Sequence, residues 1–310
     1  ITAALPTADR YPDPLCRELR AKLALHEGVP AEQILCGNGA ADLIFRLVWA
    51  KKPRRALVTA PTFAEYATAL ESVGCTVERF FLREQEDFAV TDAFCAAIRP
   101  GTDMVFLCQP NNPTGQLTAL PLMEQILHRC AACGTLLVVD ECFLDFLPDH
   151  ALHTAKGLLG EENLAILKAF TKLYGMAGVR LGYALSADTA LLEQMQACGQ
   201  PWGVSSLAQA AGLAALEETA YVEKVRALIA EQRPRLTAGL RALGLRVLDG
   251  RANYLLFQAP ETLGEALRQR GAVLRSCANY PGLGPGWYRT AVRTGPENEQ
   301  LLKLLAEVLE

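Results

Sequence analysis

Short apolar runs that alternate with amphipathic stretches dominate the N-terminal part of this 310-residue chain. Runs rich in branched apolar side chains favour buried strands, whereas the stretches between them repeat with the period of a helix. We predict strands at 34–36, 56–59, 77–81, 104–108, 136–139, 164–167 and 181–185, and helices at 40–49, 63–72 and 121–133. Such alternation forms an α/β fold with a mainly parallel sheet sandwiched by helices, which binds ligands at the carboxyl ends of its strands.

The pattern changes after residue 202, where long helical stretches replace the alternation. We predict helices at 207–216, 221–243 and 296–309 and short strands at 254–257 and 288–292. The sequence therefore predicts a large ligand-binding domain at 1–202 and a smaller α+β C-terminal domain at 203–310. Because the sequence begins at Ile1 without a Met, we also expect an N-terminal segment to precede it.

Composition argues against several classes of partner. The formal net charge is -4 and no long basic run is present, so we expect no nucleic acid partner, and no apolar run is long enough to cross a membrane. The ten cysteines are scattered through apolar runs, which is typical of a cytoplasmic protein. Cys130 and Cys133 form a CxxC pair on a predicted helix without a second pair, so we expect a structural helix face and no metal site.

A candidate phosphate site follows the first predicted strand. Gly39, Ala40 and Ala41 open a predicted helix, and backbone N–H groups at a helix N-terminus can cradle a phosphate. A dinucleotide-binding turn would carry a third glycine and an acidic residue after the strand at 56–59, and both are missing. A mononucleotide-like phosphate therefore fits better than a nicotinamide dinucleotide, with an ordinary strand-to-helix turn as the alternative.

Three further strand ends carry residues suited to a planar ligand. Phe63 could stack on a ring or belong to the core. Asn111 and Asn112 are adjacent amides after the strand at 104–108 that could hydrogen-bond a phenolic oxygen, with an ordinary loop as the alternative. Asp140 ends a very apolar strand, so its carboxylate needs a cation. A protonated pyridine nitrogen would be such a cation, and a capping or salt-bridged aspartate is the alternative.

Lys172 follows the predicted strand at 164–167, which delivers its amine to the same edge of the sheet. A lysine in this position can form an imine with a carbonyl ligand. Thr171 and Arg180 could bind a phosphate beside it, the arginine through its fork of N–H donors. A solvated surface lysine is the alternative for an isolated residue of this type.

Taken together and in this order, the motifs resemble the fold type I pyridoxal phosphate (PLP) aminotransferase family, the aspartate aminotransferase superfamily, over nearly the whole chain. The resemblance implies pyridoxal 5'-phosphate as cofactor and an aspartate aminotransferase-like fold. It also implies that Lys172 is the Schiff-base lysine and proton shuttle, and that Asp140 is the partner of the pyridine nitrogen. Asn112 matches the donor to the ring oxygen, and Phe63 matches the stacking ring.

The resemblance assigns the remaining site residues as well. The turn at Gly39, with the amides of Ala40 and Ala41, matches the phosphate cup, which Thr171 and Arg180 complete. Tyr11 matches a tyrosine that reaches the cofactor phosphate of a partner subunit, which implies a homodimer with shared sites. Arg289, with Asn112, matches the groups that hold the substrate carboxylate.

Two branches of the family are similar to this chain. The segments 275–283 and 288–293, together with Phe143 where aminotransferases usually place tyrosine, resemble a branch that decarboxylates a phosphorylated amino acid in cobalamin biosynthesis. Arg275 would then join Arg289 in binding the two anionic ends of the substrate. The other branch transfers the amino group of a phosphorylated amine.

Two departures from the family pattern are visible. Ala169 stands where relatives often keep a hydroxyl for the cofactor phosphate, and the relatives begin with an arm that bears glycine and asparagine and helps to bind substrate. A nicotinamide oxidoreductase and a non-catalytic PLP-binding module fused to a DNA-binding domain are the alternatives from other classes. The missing acidic residue argues against the first, and the absence of a basic helix-turn-helix segment argues against the second.

Overall fold

The computed structural model describes residues 1–160 and 163–309. The N-terminal part contains seven strands: β1 Ile34–Gly37, β2 Arg55–Ala60, β3 Thr76–Phe81, β4 Met104–Cys108, β5 Leu136–Asp140, β6 Leu164–Ala169 and β7 Gly182–Leu185. Its α-helices are α1 Arg17–Glu27, α2 Ala40–Lys51, α3 Glu65–Glu71, α4 Ala93–Ala97, α5 Leu120–Cys133, α6 Phe170–Leu173 and α7 Thr189–Cys198. Short 3-10 helices lie at Thr2–Thr7, Ala31–Gln33, Glu84–Glu86, Leu144–Phe146, His150–Leu152 and Ala155–Leu158.

The seven strands form one sheet in the order β1-β7-β6-β5-β4-β2-β3. The pairs β2–β3, β2–β4, β4–β5 and β5–β6 are parallel, and β7 runs antiparallel to both β1 and β6. Because β2, β4, β5 and β6 point the same way, the residues that follow them meet at one edge of the sheet. The expectation of a mainly parallel sheet is confirmed.

Both faces of this sheet are covered by helices, which explains why its strands are apolar without alternation. Successive residues of β5 face opposite sides: Leu137 belongs to one buried cluster and Val138 to the other. The first cluster includes residues of α1, α5 and α8 (Ser206–Ala215), and the second includes residues of α2, α3 and α7. Cys130, fully buried on α5, belongs to the first, as expected for a structural helix face.

The C-terminal part carries a second, antiparallel sheet. After α8, it contains α9 Thr219–Ala242, β8 Arg246–Val247, β9 Tyr254–Gln258, α10 Leu263–Arg268, β10 Arg275–Ser276, β11 Trp287–Ala291 and α11 Gly295–Leu309. The strand order is β10-β11-β9-β8, and a cluster of apolar side chains lies between this sheet and the helices α9, α10 and α11. The smaller α+β unit is thus present, and the boundary at 202 stays a prediction. No helix in the described ranges is long and apolar enough to span a bilayer.

Candidate active site

A cavity of about 220 Å³ lies at the edge of the large sheet where β2, β4, β5 and β6 end. Eight of the predicted cofactor residues line it: Ala40, Ala41, Phe63, Asn112, Asp140, Thr171, Lys172 and Arg180. Cys108, Cys142, Phe143 and Ala169 complete the lining. The topology therefore brings together residues that are up to 140 positions apart in the sequence, from Ala40 to Arg180.

One end of the cavity is suited to a phosphate. Gly39 precedes α2 with φ 82°, and a Cβ atom at this position would lie 2.7 Å from Nη2 of Arg180. A Cβ atom at Gly182 would likewise lie 2.7 Å from the backbone nitrogen of Ala40. The two glycines therefore allow the Arg180 guanidinium and the N-terminus of a twelve-residue helix to approach each other. Guanidinium and helix N–H groups both favour a bound anion.

Asp140 ends β5 and is buried, with 5% of the residue exposed. Its Oδ2 accepts a hydrogen bond from the hydroxyl of Tyr66 at 2.6 Å, and its Oδ1 accepts one from the backbone nitrogen of Cys142 at 3.0 Å. None of the ion pairs formed by the described residues includes Asp140, so the salt-bridged alternative does not apply. A buried carboxylate without a cationic protein partner suits a cationic ligand.

Lys172 lies in the short helix α6 directly after β6. Its Nζ lies 5.3 Å from the centroid of the Phe143 ring, and the amine forms no ion pair within residues 1–160 and 163–309. Lys168, four residues earlier, is instead buried between Glu27 (3.3 Å) and Asp145 (3.0 Å). Of these two lysines only Lys172 presents its amine to the cavity.

The two adjacent amides of the loop after β4 have different surroundings. Asn111 is a structural residue: its side chain accepts a hydrogen bond from the hydroxyl of Thr62 at 2.8 Å and donates one to the carbonyl of Pro61 at 2.9 Å. Asn112 lines the cavity, and its Oδ1 accepts a hydrogen bond from Arg289. The latter contact links the cofactor-sized cavity to the small sheet.

A second, larger cavity of about 630 Å³ shares Phe143 and Lys172 with the first. Arg275 and Arg289, both predicted to bind substrate, line it from β10 and β11, where they are directly paired across the antiparallel strands. Like charges in this arrangement repel each other. The guanidinium of Arg289 lies 5.0 Å from the centroid of the Tyr254 ring. The pair therefore suits an anionic ligand that enters beside Lys172.

Tyr11 lies outside both cavities in the chain. The residue is 81% exposed, and its ring packs against Trp202 at 4.7 Å between centroids. Gly39 also does not line the cavity, but it directly precedes Ala40, which does. Tyr66 and the amide of Cys142 were missed by sequence reasoning. The position of Tyr66, three residues after Phe63 at the start of a helix, was the available signal.

A buried charge network lies behind the site. The carboxyl of Glu141 accepts a hydrogen bond from the Thr154 hydroxyl at 2.8 Å, and burial raises its pKa to about 7. Burial would also raise the pKa of Glu27, but Lys168 and the other neighbours outweigh it and lower the pKa to about 2. Since Lys168 belongs to β6, the network holds the strand that leads directly into α6, the helix that contains Lys172.

Comparison with known proteins identifies the family. The model of the family "Aminotransferase class I and II" matches residues 2–308, and the chain belongs to this family. The cavity fits its cofactor, pyridoxal phosphate: an anion-binding end, a buried carboxylate that forms no ion pair with the described residues, and a lysine amine meet in one space. The protein is thus a PLP-dependent enzyme with the aminotransferase fold.

The chain is similar to two curated relatives of different activity. It is 40% identical over 98% of its length to the threonine-phosphate decarboxylase of Salmonella typhimurium, covering 85% of that protein. It is 35% identical over 99% of its length to the histidinol-phosphate aminotransferase of Symbiobacterium thermophilum, covering 84% of that protein. Among solved structures, the histidinol-phosphate aminotransferase of Clostridium acetobutylicum superposes with a TM-score of 0.92 at 25% identity, covering 99% of this chain and 93% of that one.

Proposed function

We propose that this protein is a PLP-dependent decarboxylase of a phosphorylated amino acid, with threonine phosphate as substrate and a role in cobalamin biosynthesis. The observation that carries the proposal is the shared wall of the two cavities: Lys172 lies between a cofactor-sized space and a pair of opposed arginines. The similarity to the Salmonella typhimurium enzyme supports the choice of substrate.

The residues of the first cavity would hold the cofactor. The amides at the start of α2, with Thr171 and Arg180, would bind its phosphate, and Lys172 would bind it covalently. Asp140 would hold a proton at the pyridine nitrogen, and Phe63 would stack on the ring. When bound, the cofactor takes up the electron pair released at the α-carbon of the substrate.

The residues that bind the substrate would determine which reaction occurs. Arg275 and Arg289, in the second cavity, would bind the phosphate and carboxylate of the substrate. Asn112, which is hydrogen-bonded to Arg289, would help to orient the carboxylate. The bond that breaks is the one held perpendicular to the cofactor ring, so the positions of these groups decide between loss of carbon dioxide and removal of the α-proton. In the decarboxylation, carbon dioxide leaves and a proton takes its place on the α-carbon, for which the Lys172 amine is positioned.

We further propose a cytoplasmic homodimer with shared active sites. Tyr11 is exposed and outside the two cavities of the site in its own chain, which leaves its hydroxyl available to the phosphate of a second copy. All ten cysteines are free, as is usual in a reducing compartment. Light scattering should give twice the chain mass of 33.6 kDa, and a Tyr11→Phe variant should bind the cofactor more weakly.

The function is tested with the two named substrates. With threonine phosphate we expect release of carbon dioxide and formation of aminopropanol phosphate, and a Lys172→Ala variant should produce neither. Histidinol phosphate with a keto acid acceptor should give no amino transfer. Amino transfer in the second assay, without carbon dioxide release in the first, would contradict the proposal and assign the protein to the aminotransferase branch.

A further inference from the structure

Both oxygens of the Asp140 carboxylate already have a protein donor. The Tyr66 hydroxyl lies 2.6 Å from Oδ2 and the Cys142 backbone nitrogen lies 3.0 Å from Oδ1. A carboxylate has about four acceptor positions. Each oxygen therefore keeps a free position, and the two bonds together fix the rotation of the group.

Tyr66 is held rigidly in this position. It is fully buried, its ring stacks on Phe106 with 4.7 Å between centroids, and it forms a T-shaped pair with Phe63 at 5.5 Å between centroids. It thus contacts both the acid and the ring predicted to stack on the cofactor. Burial, and then the negative charge of Asp140, raise the pKa of Tyr66 well above its usual range, so the hydroxyl stays protonated and remains a donor.

Packing alone does not explain the hydroxyl. The contacts with Phe106 and Phe63 are made by the ring, and phenylalanine would make them equally well. A buried hydroxyl costs free energy unless it is hydrogen-bonded, and its partner here is the carboxylate that faces the cavity. The hydroxyl therefore points to a role at Asp140.

We propose that Tyr66 is a positioning residue for Asp140: its hydrogen bond holds the carboxylate with an oxygen aimed at the ring nitrogen of the cofactor. The inference rests on the proposed function, in which Asp140 binds that nitrogen. Without the hydroxyl, the carboxylate is held from the Cys142 side alone and can turn about its Cβ–Cγ bond. Binding that depends on the ring nitrogen should then weaken.

The test compares pyridoxal phosphate with an analogue that carries C–H in place of the ring nitrogen. Tyr66→Phe should raise the dissociation constant of pyridoxal phosphate about tenfold, as expected for the loss of a hydrogen bond to a charged group. The dissociation constant of the analogue should stay unchanged. The matched control is Tyr183→Phe, which removes another buried hydroxyl that donates to a carboxylate, that of Glu27, outside the cavity. It should change neither constant. Melting temperatures of the cofactor-free proteins report folding separately.

The outcomes separate the inference from the proposed function. Asp140→Ala should lose the preference for pyridoxal phosphate over the analogue, and if it does not, the proposed role of Asp140 is wrong. If Asp140→Ala loses the preference but a folded Tyr66→Phe variant keeps it, Tyr66 has only a structural role. Tyr66→His, which retains a ring and an N–H donor, is the second variant and should keep part of the preference. A folded Tyr66→His variant that shows no preference for pyridoxal phosphate over the analogue would overturn the donor role.

Discussion

The Nζ atom of Lys172 lies 5.3 Å from the centroid of the Phe143 ring, on the wall that the two cavities share. Phe143 also forms a T-shaped pair with Tyr254, with 5.1 Å between the ring centroids. The lysine that would carry the cofactor therefore has an aromatic neighbour that offers no hydroxyl. This is the position at which aminotransferases usually place tyrosine.

Phe143 should set the pH at which the cofactor-loaded protein changes colour. A tyrosine hydroxyl would stabilise the negative ring oxygen of the cofactor, and phenylalanine cannot do so. A hydrogen bond to a charged group contributes about 1.5 kcal/mol or more, so Phe143→Tyr should lower the midpoint of an absorbance titration by about one pH unit. Phe143→Leu, which also lacks a hydroxyl, is the control and should leave the midpoint nearly in place. An equal midpoint in the Tyr variant would contradict the argument.

Removing one of the paired arginines should weaken substrate binding without lowering the stability of the protein. Arg275 and Arg289 are opposed on neighbouring strands, and such pairs of like charge destabilise a sheet by roughly 0.2–1 kcal/mol. Arg275→Met should therefore leave the melting temperature equal or slightly higher while raising KM for threonine phosphate by at least about tenfold. Arg268→Met, which removes an exposed arginine paired with Glu265, is the control. A large loss of stability without a change in KM would show that Arg275 is structural.

Sequence reasoning predicted the alternating elements and the edge of the sheet where the site lies, because buried parallel strands have an unmistakable apolar pattern. The strand at 104–108 was predicted with its observed ends, and α2 and α5 to within two residues. The helices α1 and α7 were not predicted. The helix predicted at 63–72 begins only at Glu65, because the chain still turns after Pro61.

The contacts between site residues were harder to predict than which residues belong to the site. Asn111 and Asn112 are identical in type and adjacent, yet only the second lines the cavity. Residue type alone does not separate them, because the loop conformation after β4 decides which amide points inward, and only the family resemblance assigned Asn112 to the site. The bond from Tyr66 to Asp140 joins residues 74 positions apart, and only the packing of α3 against the sheet places them together.

Gly39 should be needed for cofactor affinity more than for folding. An alanine there meets two obstacles: φ 82°, which L-residues rarely adopt, and the Arg180 guanidinium 2.7 Å from the new Cβ. Gly39→Ala should weaken binding of pyridoxal phosphate at least about tenfold, since either Arg180 or the start of α2 must move. Gly74→Ala is the matched control, with φ 74° but no atom within 4 Å of the added Cβ. It should cost about 1 kcal/mol of stability and no affinity. Equal effects of the two variants on affinity would contradict this account.

Glu141 should make the enzyme less stable as the pH rises toward neutrality. Burial raises its pKa from 4.5 to about 7, against the opposing influence of Lys168. The folded state therefore holds a proton that the unfolded chain has released, and the stabilising contribution, complete below about pH 4.5, is lost as the pH rises to about 7. Glu141→Gln mimics the protonated form and should remove this part of the dependence.

Denaturant unfolding at several pH values between about 5 and 8 measures the effect. The free energy of unfolding of the native protein relative to Glu141→Gln should fall with rising pH by up to about 3 kcal/mol, because each tenfold change in proton affinity corresponds to about 1.4 kcal/mol. His150, whose pKa burial lowers, is present in both proteins, so its contribution cancels in the difference. Glu27 acts with the opposite sign and only below about pH 4.5, because its pKa is lowered to about 2. A difference that is constant across this range would show that Glu141 is ionised in the folded protein throughout, with Lys168 as its counter-charge.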